Sequence, residues 1–153
     1  MKNPNGLWHD IAYRFARQSK CRSRSVGCVI VSPDQHVVGQ GYNGAPQGSE
    51  CANCPRCLGT LPPPGASLHL AICAHAEANA IGYAARRGTM LAGCTMYCTT
   101  KPCLECAKLI VAAGIAEVVF YEEYVQDQQR DWAGEVLTNG SVKWRKWKGG
   151  DLQ

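Results

Sequence analysis

The chain has 153 residues, 46% hydrophobic and 18% charged, which is enough apolar material for one domain with a buried core. Its formal charge of +4, without any long run of Lys or Arg, demands no polynucleotide partner and suits a small anionic ligand. No apolar run approaches the ~18 residues of a membrane-spanning helix, and Asp10, Arg14 and Arg17 break up the first twenty residues as no export signal would. Ten cysteines in such a chain point to metal binding or catalysis rather than disulfides, so a cytosolic protein is expected.

Leu7, Ile11 and Phe15, flanked by Trp8 and Ala12, recur at helical spacing and predict a first helix, capped by Asn3 or Asn5 and ending near Lys20. Residues 26–31 are apolar and rich in β-branched side chains, which predicts a strand covered on both faces. A turn over Ser32, Pro33, Asp34 and Gln35 leads into a second strand over 37–42. Gly41, Tyr42, Asn43, Gly44, Ala45 and Pro46 then make a sharp loop. It could aim Asn43 at a ligand, or Asn43 could simply suit a turn. Residues 48–70 lack periodicity and contain Pro62, Pro63, Pro64 and Gly65, so they read as an irregular insertion.

A helix is predicted over 73–88 from its alanines, with Gly88 as the stop. A strand follows over 94–99. Pro102 opens another helix, which runs to Ala113 with Gly114 behind it. A strand over 115–121, a weaker helix over 126–137 and a last strand over 142–147 complete the chain, with Trp144 and Trp147 read as core or interface residues. Strands alternating with helices predict the α/β class, a three-layer α/β/α sandwich with helices on both faces of its sheet. No repeat or second domain is evident, so residues 1–153 read as one domain with a Cys- and Pro-rich insertion at about 48–72.

The chemistry gathers at His75-Ala76-Glu77 and Pro102-Cys103-Leu104-Glu105-Cys106. His75, Cys103 and Cys106 supply three zinc ligands, which leaves a fourth tetrahedral position open, as catalytic zinc sites do. His75 and Cys103 both fall near predicted helix starts, where the dipole favours an ionised thiolate. Glu77 can carry a proton from water to a leaving amine, general acid–base work that contributes ~10²–10⁴-fold. The H-x-E…P-C-x-x-C pattern is that of zinc deaminases. A structural zinc site with Cys57 or Cys73 as fourth ligand is the plain alternative, and it leaves Glu77 idle.

The chain resembles the cytidine deaminase superfamily, most closely its deoxycytidylate (dCMP) deaminase branch. The resemblance is carried by Ser19-Lys20-Cys21, Val26-Gly27-Cys28-Val29-Ile30-Val31, Gly41-Tyr42-Asn43-Gly44, His75-Ala76-Glu77-Ala78-Asn79-Ala80-Ile81 and residues 99–115. It implies a mixed five-stranded sheet between helices and hydrolytic removal of the amine at C4 of dCMP. His75, Cys103 and Cys106 would bind zinc and Glu77 would shuttle the proton. Ala76 would donate its N–H to the base carbonyl, and Asn43 would contact the sugar. Arg22, Ser23 and Arg24 suit a phosphate. The resemblance further implies a homo-oligomer, most often a hexamer. It also implies activation by dCTP and inhibition by dTTP near Gly41, Tyr42, Asn43 and Gly44, with Mg2+ accompanying the effector.

The insertion resembles that of relatives with a second, structural zinc, which would involve Cys21, Cys51 and Cys73. Cys54 is the preferred fourth ligand, because Cys51-x-x-Cys54 is a natural chelating turn, and Cys57 and His69 are alternatives. Two rival functions are a polynucleotide deaminase, favoured only by Lys143-Trp144-Arg145-Lys146-Trp147-Lys148, and a zinc-stabilised interaction module without catalysis.

Overall fold

The structure, a computed structural model, describes residues 4–60, 70–124 and 130–149. Four helices, α1 (Pro4–Ala16), α2 (Ala76–Arg86), α3 (Leu104–Ala112) and α4 (Trp132–Asn139), accompany five strands. The strands are β1 (Gly27–Val31), β2 (Val37–Tyr42), β3 (Thr95–Thr100), β4 (Glu117–Glu122) and β5 (Lys143–Lys146). They form one mixed five-stranded sheet, as expected, and its strand order is β2-β1-β3-β4-β5. β1 is antiparallel to both β2 and β3, whereas β3–β4 and β4–β5 are parallel. Each parallel pair requires a crossover, and α3 and α4 supply them.

The alternation along the strands divides the core in two. Cys28, Ile30, Met96, Cys98, Val118 and Phe120 face Ala76, Ala80 and Ala84 of α2, Ala107 and Ile110 of α3 and Leu137 of α4. Val29, Val31, Tyr97, Val119 and Tyr121 face Trp8 and Ala12 of α1. Three helices therefore cover one face and α1 the other. All five residues of β1 are buried, as its apolar run predicts.

Helix ends differ from expectation for local reasons. α1 stops at Ala16 because Gln18 N–H and Ser19 N–H turn back to the carbonyls of Phe15 and Ala16, at 2.9 and 3.0 Å. Asn5 lies inside α1 and its Oδ1 accepts from Tyr97 Oη, while Asn3 is outside the described residues. α2 starts at Ala76, not 73, since Ala74 pairs with Gly44 through two backbone bonds of 2.9 and 3.1 Å. Pro102 precedes the cap of α3 rather than opening its first turn. α4 starts at Trp132, where Asp131 accepts from Gly134 N–H, and residues 125–129 lie outside the described residues.

α2 lies flush on β2. A Cβ at Gly41 would stand 2.4 Å from Ala76 O and 2.6 Å from Ala80 N, and one at Gly39 would be 3.0 Å from Ala80 O. Both glycines are thus required by close approach. We predict that Gly41→Ala lowers stability by about 1–3 kcal/mol through overpacking. Gly44→Ala, with nothing within 4 Å of the added carbon, should stay within ~0.5 kcal/mol of the parent. Urea unfolding of the two variants checks this, and equal losses would contradict it.

Candidate active site and metal centres

His75 and Cys103 hold matching positions, the N-caps of α2 and α3. Both have extended backbones (φ −73, ψ 154 and φ −75, ψ 173), and neither caps its helix with its side chain. Their carbonyls start the helices by accepting from Asn79 N–H and Ala107 N–H at 2.9 Å. Both side chains are thereby left for other work. His75 Nδ1 lies 3.3 Å from Cys103 Sγ and 3.4 Å from Cys106 Sγ. A tetrahedral zinc ion with bonds of ~2.0–2.3 Å spaces its ligand atoms by about 3.5 Å, so these three donors fit one.

The electrostatics suit a cation. Cys103 is pulled down to about 4, chiefly by the hydrogen bond from Cys106 and then by His75, against the cost of burial. His75 is raised to about 8, mainly by its hydrogen bond to Cys103. Cys106 is pushed up, first because it gives its hydrogen to Cys103 and then by burial. Three donors thus share protons that a metal ion would displace. Glu77 is 4% exposed, with Oε2 3.6 Å from Cys106 Sγ. Burial pushes its carboxyl up, and the Cys103 thiolate adds to this.

A second group gathers Cys21, Cys51, Cys57 and Cys73, whose sulfurs all lie within 4.8 Å of one another. Cys51 Sγ is 3.4 Å from Cys57 Sγ and 3.1 Å from Cys73 Sγ. The fourth corner is Cys57, not the expected Cys54. Residues 54–58 wind into a turn closed by Leu58 N–H on Cys54 O, and Cys54 Sγ is buried and accepts from Ile72 N–H at 3.3 Å. His69 lies outside the described residues. Cys73 belongs to this second group, so among the described residues the His75 group keeps three donors.

Between the two groups runs a cleft of about 740 Å³, counting its open mouth. Ala76, Glu77 and Asn43 line it together with Ser23 and Arg24, while Arg22 does not. Asn43 is 8% exposed, and its amide is already engaged. Oδ1 accepts from Val26 N–H at 2.8 Å and Nδ2 donates to Arg24 O at 2.7 Å. Asn79 Nδ2 donates to Tyr42 O at 2.8 Å, so residues 41–44 brace α2 on one side and the Arg24 loop on the other. Arg56, Thr100, Lys101 and Tyr124 also line the cleft, and the sequence pattern did not single them out. Lys101 adjoins the Pro102-Cys103 motif, a signal that could have found it. Arg56 and Tyr124 become cleft residues only through the fold.

An α/β/α sandwich whose two helix starts bring one His and two Cys around a buried Glu is the arrangement of zinc-dependent nucleobase deaminases. Residues 3–122 match the profile of the cytidine and deoxycytidylate deaminase zinc-binding region. The chain belongs to that family. It is 43% identical over 120 residues to the deoxycytidylate deaminase of Mycobacterium phage D29, covering 74% of this chain and 90% of that one. It is 39% identical over 139 residues to the deoxycytidylate deaminase of Saccharomyces cerevisiae, where 89% of this chain matches 42% of the longer yeast protein. The crystal structure of dCMP deaminase from cyanophage S-TIM5 in complex with dCMP and dUMP superposes with a TM-score of 0.76. That match has 26% identity and covers 96% of this chain and 99% of that one.

Asn43→Ala should orphan Val26 N–H and Arg24 C=O and cost about 1–3 kcal/mol. Thermal unfolding with the site metal present would measure it, and an unchanged midpoint would show that the brace is dispensable.

Proposed function

We propose that the chain is a zinc-dependent hydrolase that deaminates dCMP to dUMP, supplying deoxyuridylate for dTTP synthesis. The observation that carries this is the open three-donor set of His75, Cys103 and Cys106 beside the buried Glu77. Zinc, when bound, supplies Lewis acidity, which draws the pKa of water toward ~7. Glu77 accepts the proton of the attacking water and delivers it to the departing amine. Its raised affinity for a proton, set first by burial, matches that double role. Ala76 stands at the first position of α2, where a backbone N–H has no helical partner and is open to a base carbonyl. Asn43 keeps one amide hydrogen and one lone pair for a sugar hydroxyl, two of its four hydrogen bonds being taken.

The relatives named above support the nucleotide as substrate, and so do Ser23 and Arg24 at the cleft. The polynucleotide alternative loses the aromatic part of its support. Trp144 stacks on Phe120 and donates Nε1–H to Thr138, while Trp147 packs on His9 and Tyr121, so neither ring is offered to a base. No described helix is long and apolar enough to cross a membrane, and a single-domain cytoplasmic enzyme fits that. Side-by-side assays with dCMP, deoxycytidine, dCTP and a cytosine oligonucleotide test the reading. dCMP should be turned over fastest, and Glu77→Gln should retain zinc while losing at least ~10²-fold in kcat. Comparable kcat/KM for deoxycytidine and dCMP would overturn the substrate.

Cys21, Cys51, Cys57 and Cys73 are proposed to hold a second zinc, closed by four thiolates and therefore structural. Cys57→Ser should lower the metal content from about two zinc ions per chain to about one, whereas Cys54→Ser should leave two. Equal metal contents in both variants would refute the assignment. A homohexamer activated by dCTP and inhibited by dTTP, with Mg2+ on the effector and residues 41–44 near its site, is proposed from the family resemblance. Light scattering at the mass of one chain, or rates indifferent to dCTP, would remove it.

A further inference from the structure

We propose that Lys101 is a positioning residue of the His75 centre. Clamped by Asp131 and Trp144, its ammonium fixes the loop that presents Cys103 to the metal. The inference rests on the reading of the His75 group as a metal centre. It goes beyond that reading in making α4 and β5, which carry none of the three donors, part of the ligand support.

Cys103 depends on its neighbours for its place. It ends a three-residue link, Lys101, Pro102 and Cys103, between β3 and α3, and its side chain makes no capping bond to α3. Where its sulfur lies is therefore set by the link. Three contacts fix that link. Lys101 N–H donates to Glu122 O at 2.9 Å, which ties it to the end of β4. Pro102 is fully buried, and its ring locks φ. The third contact is the Lys101 side chain, only 13% exposed, whose Nζ donates to Asp131 Oδ2 at 2.6 Å. The ammonium also lies 4.6 Å from the centre of the Trp144 ring and 5.7 Å from that of Phe120.

The groups that receive this ammonium are themselves held. Asp131 gives one carboxylate oxygen to Lys101 and the other to Gly134 N–H at 3.0 Å, as the N-cap of α4. Trp144 stacks on Phe120 and donates Nε1–H to Thr138 at 3.0 Å. Gly134 lets the two meet, since a Cβ there would crowd Asp131 and stand 2.7 Å from Trp144 Cζ2. An ion pair between two mobile surface side chains contributes little. Here carboxylate and ring are ordered by other bonds, so the lysine enters a preformed seat. Its charge and its position act with opposite signs on the centre. A positive charge two residues from a metal ligand opposes a second cation, whereas a ligand held in register favours it. Removing Lys101 shows which effect is the larger.

Cobalt titration of the metal-free protein against a competing chelator, followed by thiolate-to-cobalt absorption, reads the metal alone. His75→Ala marks the step that belongs to this centre. Lys101→Met keeps the stem and removes the charge, and it should weaken that step about 10-fold and alter its cobalt spectrum. Lys101→Arg can grip Asp131 and stack on Trp144, so it should recover most of the loss. Asp131→Asn retains the cap of α4, which makes it the variant that best preserves the fold, and it should weaken the step by a similar factor. The double variant should be no weaker than Lys101→Met alone, because the two residues act as one unit. Parental affinity and spectrum in Lys101→Met, a tighter step, or additive losses would overturn the proposal. A parent whose titration matches that of His75→Ala would overturn the metal-centre reading and the proposal together. None of these readouts involves a substrate, so failure of the deaminase reading shows in turnover alone.

Discussion

α2 can bring His75 to Cys103 only because it rests directly on the backbone of β2. The contact is made by groups with almost no side chain: Gly39 and Gly41 on the strand, Ala76, Ala80 and Ala84 on the helix. Metal ligation tolerates errors of about 0.2 Å, and a single methyl group at residue 41 would already stand well inside contact distance of Ala76 O. The three-donor centre is therefore held by a packing surface that begins at Ala76, the residue after His75, and runs away from it along α2. The same constraint explains the glycines of β2 without reference to loop freedom.

The centre gathers groups that each lose by being together without a cation. A buried carboxyl, two sulfurs and an imidazole occupy one small volume, and burial opposes charge on every one of them. A divalent ion reverses that sign, because it stabilises thiolate and neutral imidazole and still leaves the carboxyl able to trade a proton. Stability given up in assembling such a cluster is common where chemistry is done. The second cluster differs in kind. Among the described residues it has four sulfurs, no acid and no imidazole, and its sulfurs accept backbone amides from the loops around them.

Much of this was legible in the sequence because it depends on local pattern. The bounds of β2, the fully buried run of β1 and the His75, Glu77, Cys103 and Cys106 motif follow from residue type and spacing. Where sequence reading fell short, a contact between distant segments decided the matter. Alanine-rich composition extends the helix of α2 back to 73, but pairing of Ala74 with Gly44 stops it at 76. Cys51-x-x-Cys54 spacing favoured Cys54 over Cys57 in the sequence, but the group that the structure gathers contains Cys57. Cys54 instead turns inward, where its sulfur accepts from Ile72 N–H. Asn43 offered a ligand contact or a turn, and its side chain first supports the backbone of Arg24 and Val26.

Lys101 joins parts of the chain that are made at very different times. It sits two residues before Cys103, while its ammonium is held by Asp131 and lies 4.6 Å above the ring of Trp144. During synthesis every ligand of the His75 centre has been joined to the chain before either of those partners exists. The ligand-bearing loop between β3 and α3 must then spend the addition of some forty residues without its brace, since domains complete their packing as units. An early nascent chain can thus own a full set of metal donors and still lack the contacts that hold them in register. β5, an edge strand remote from the chemistry, is what closes that interval.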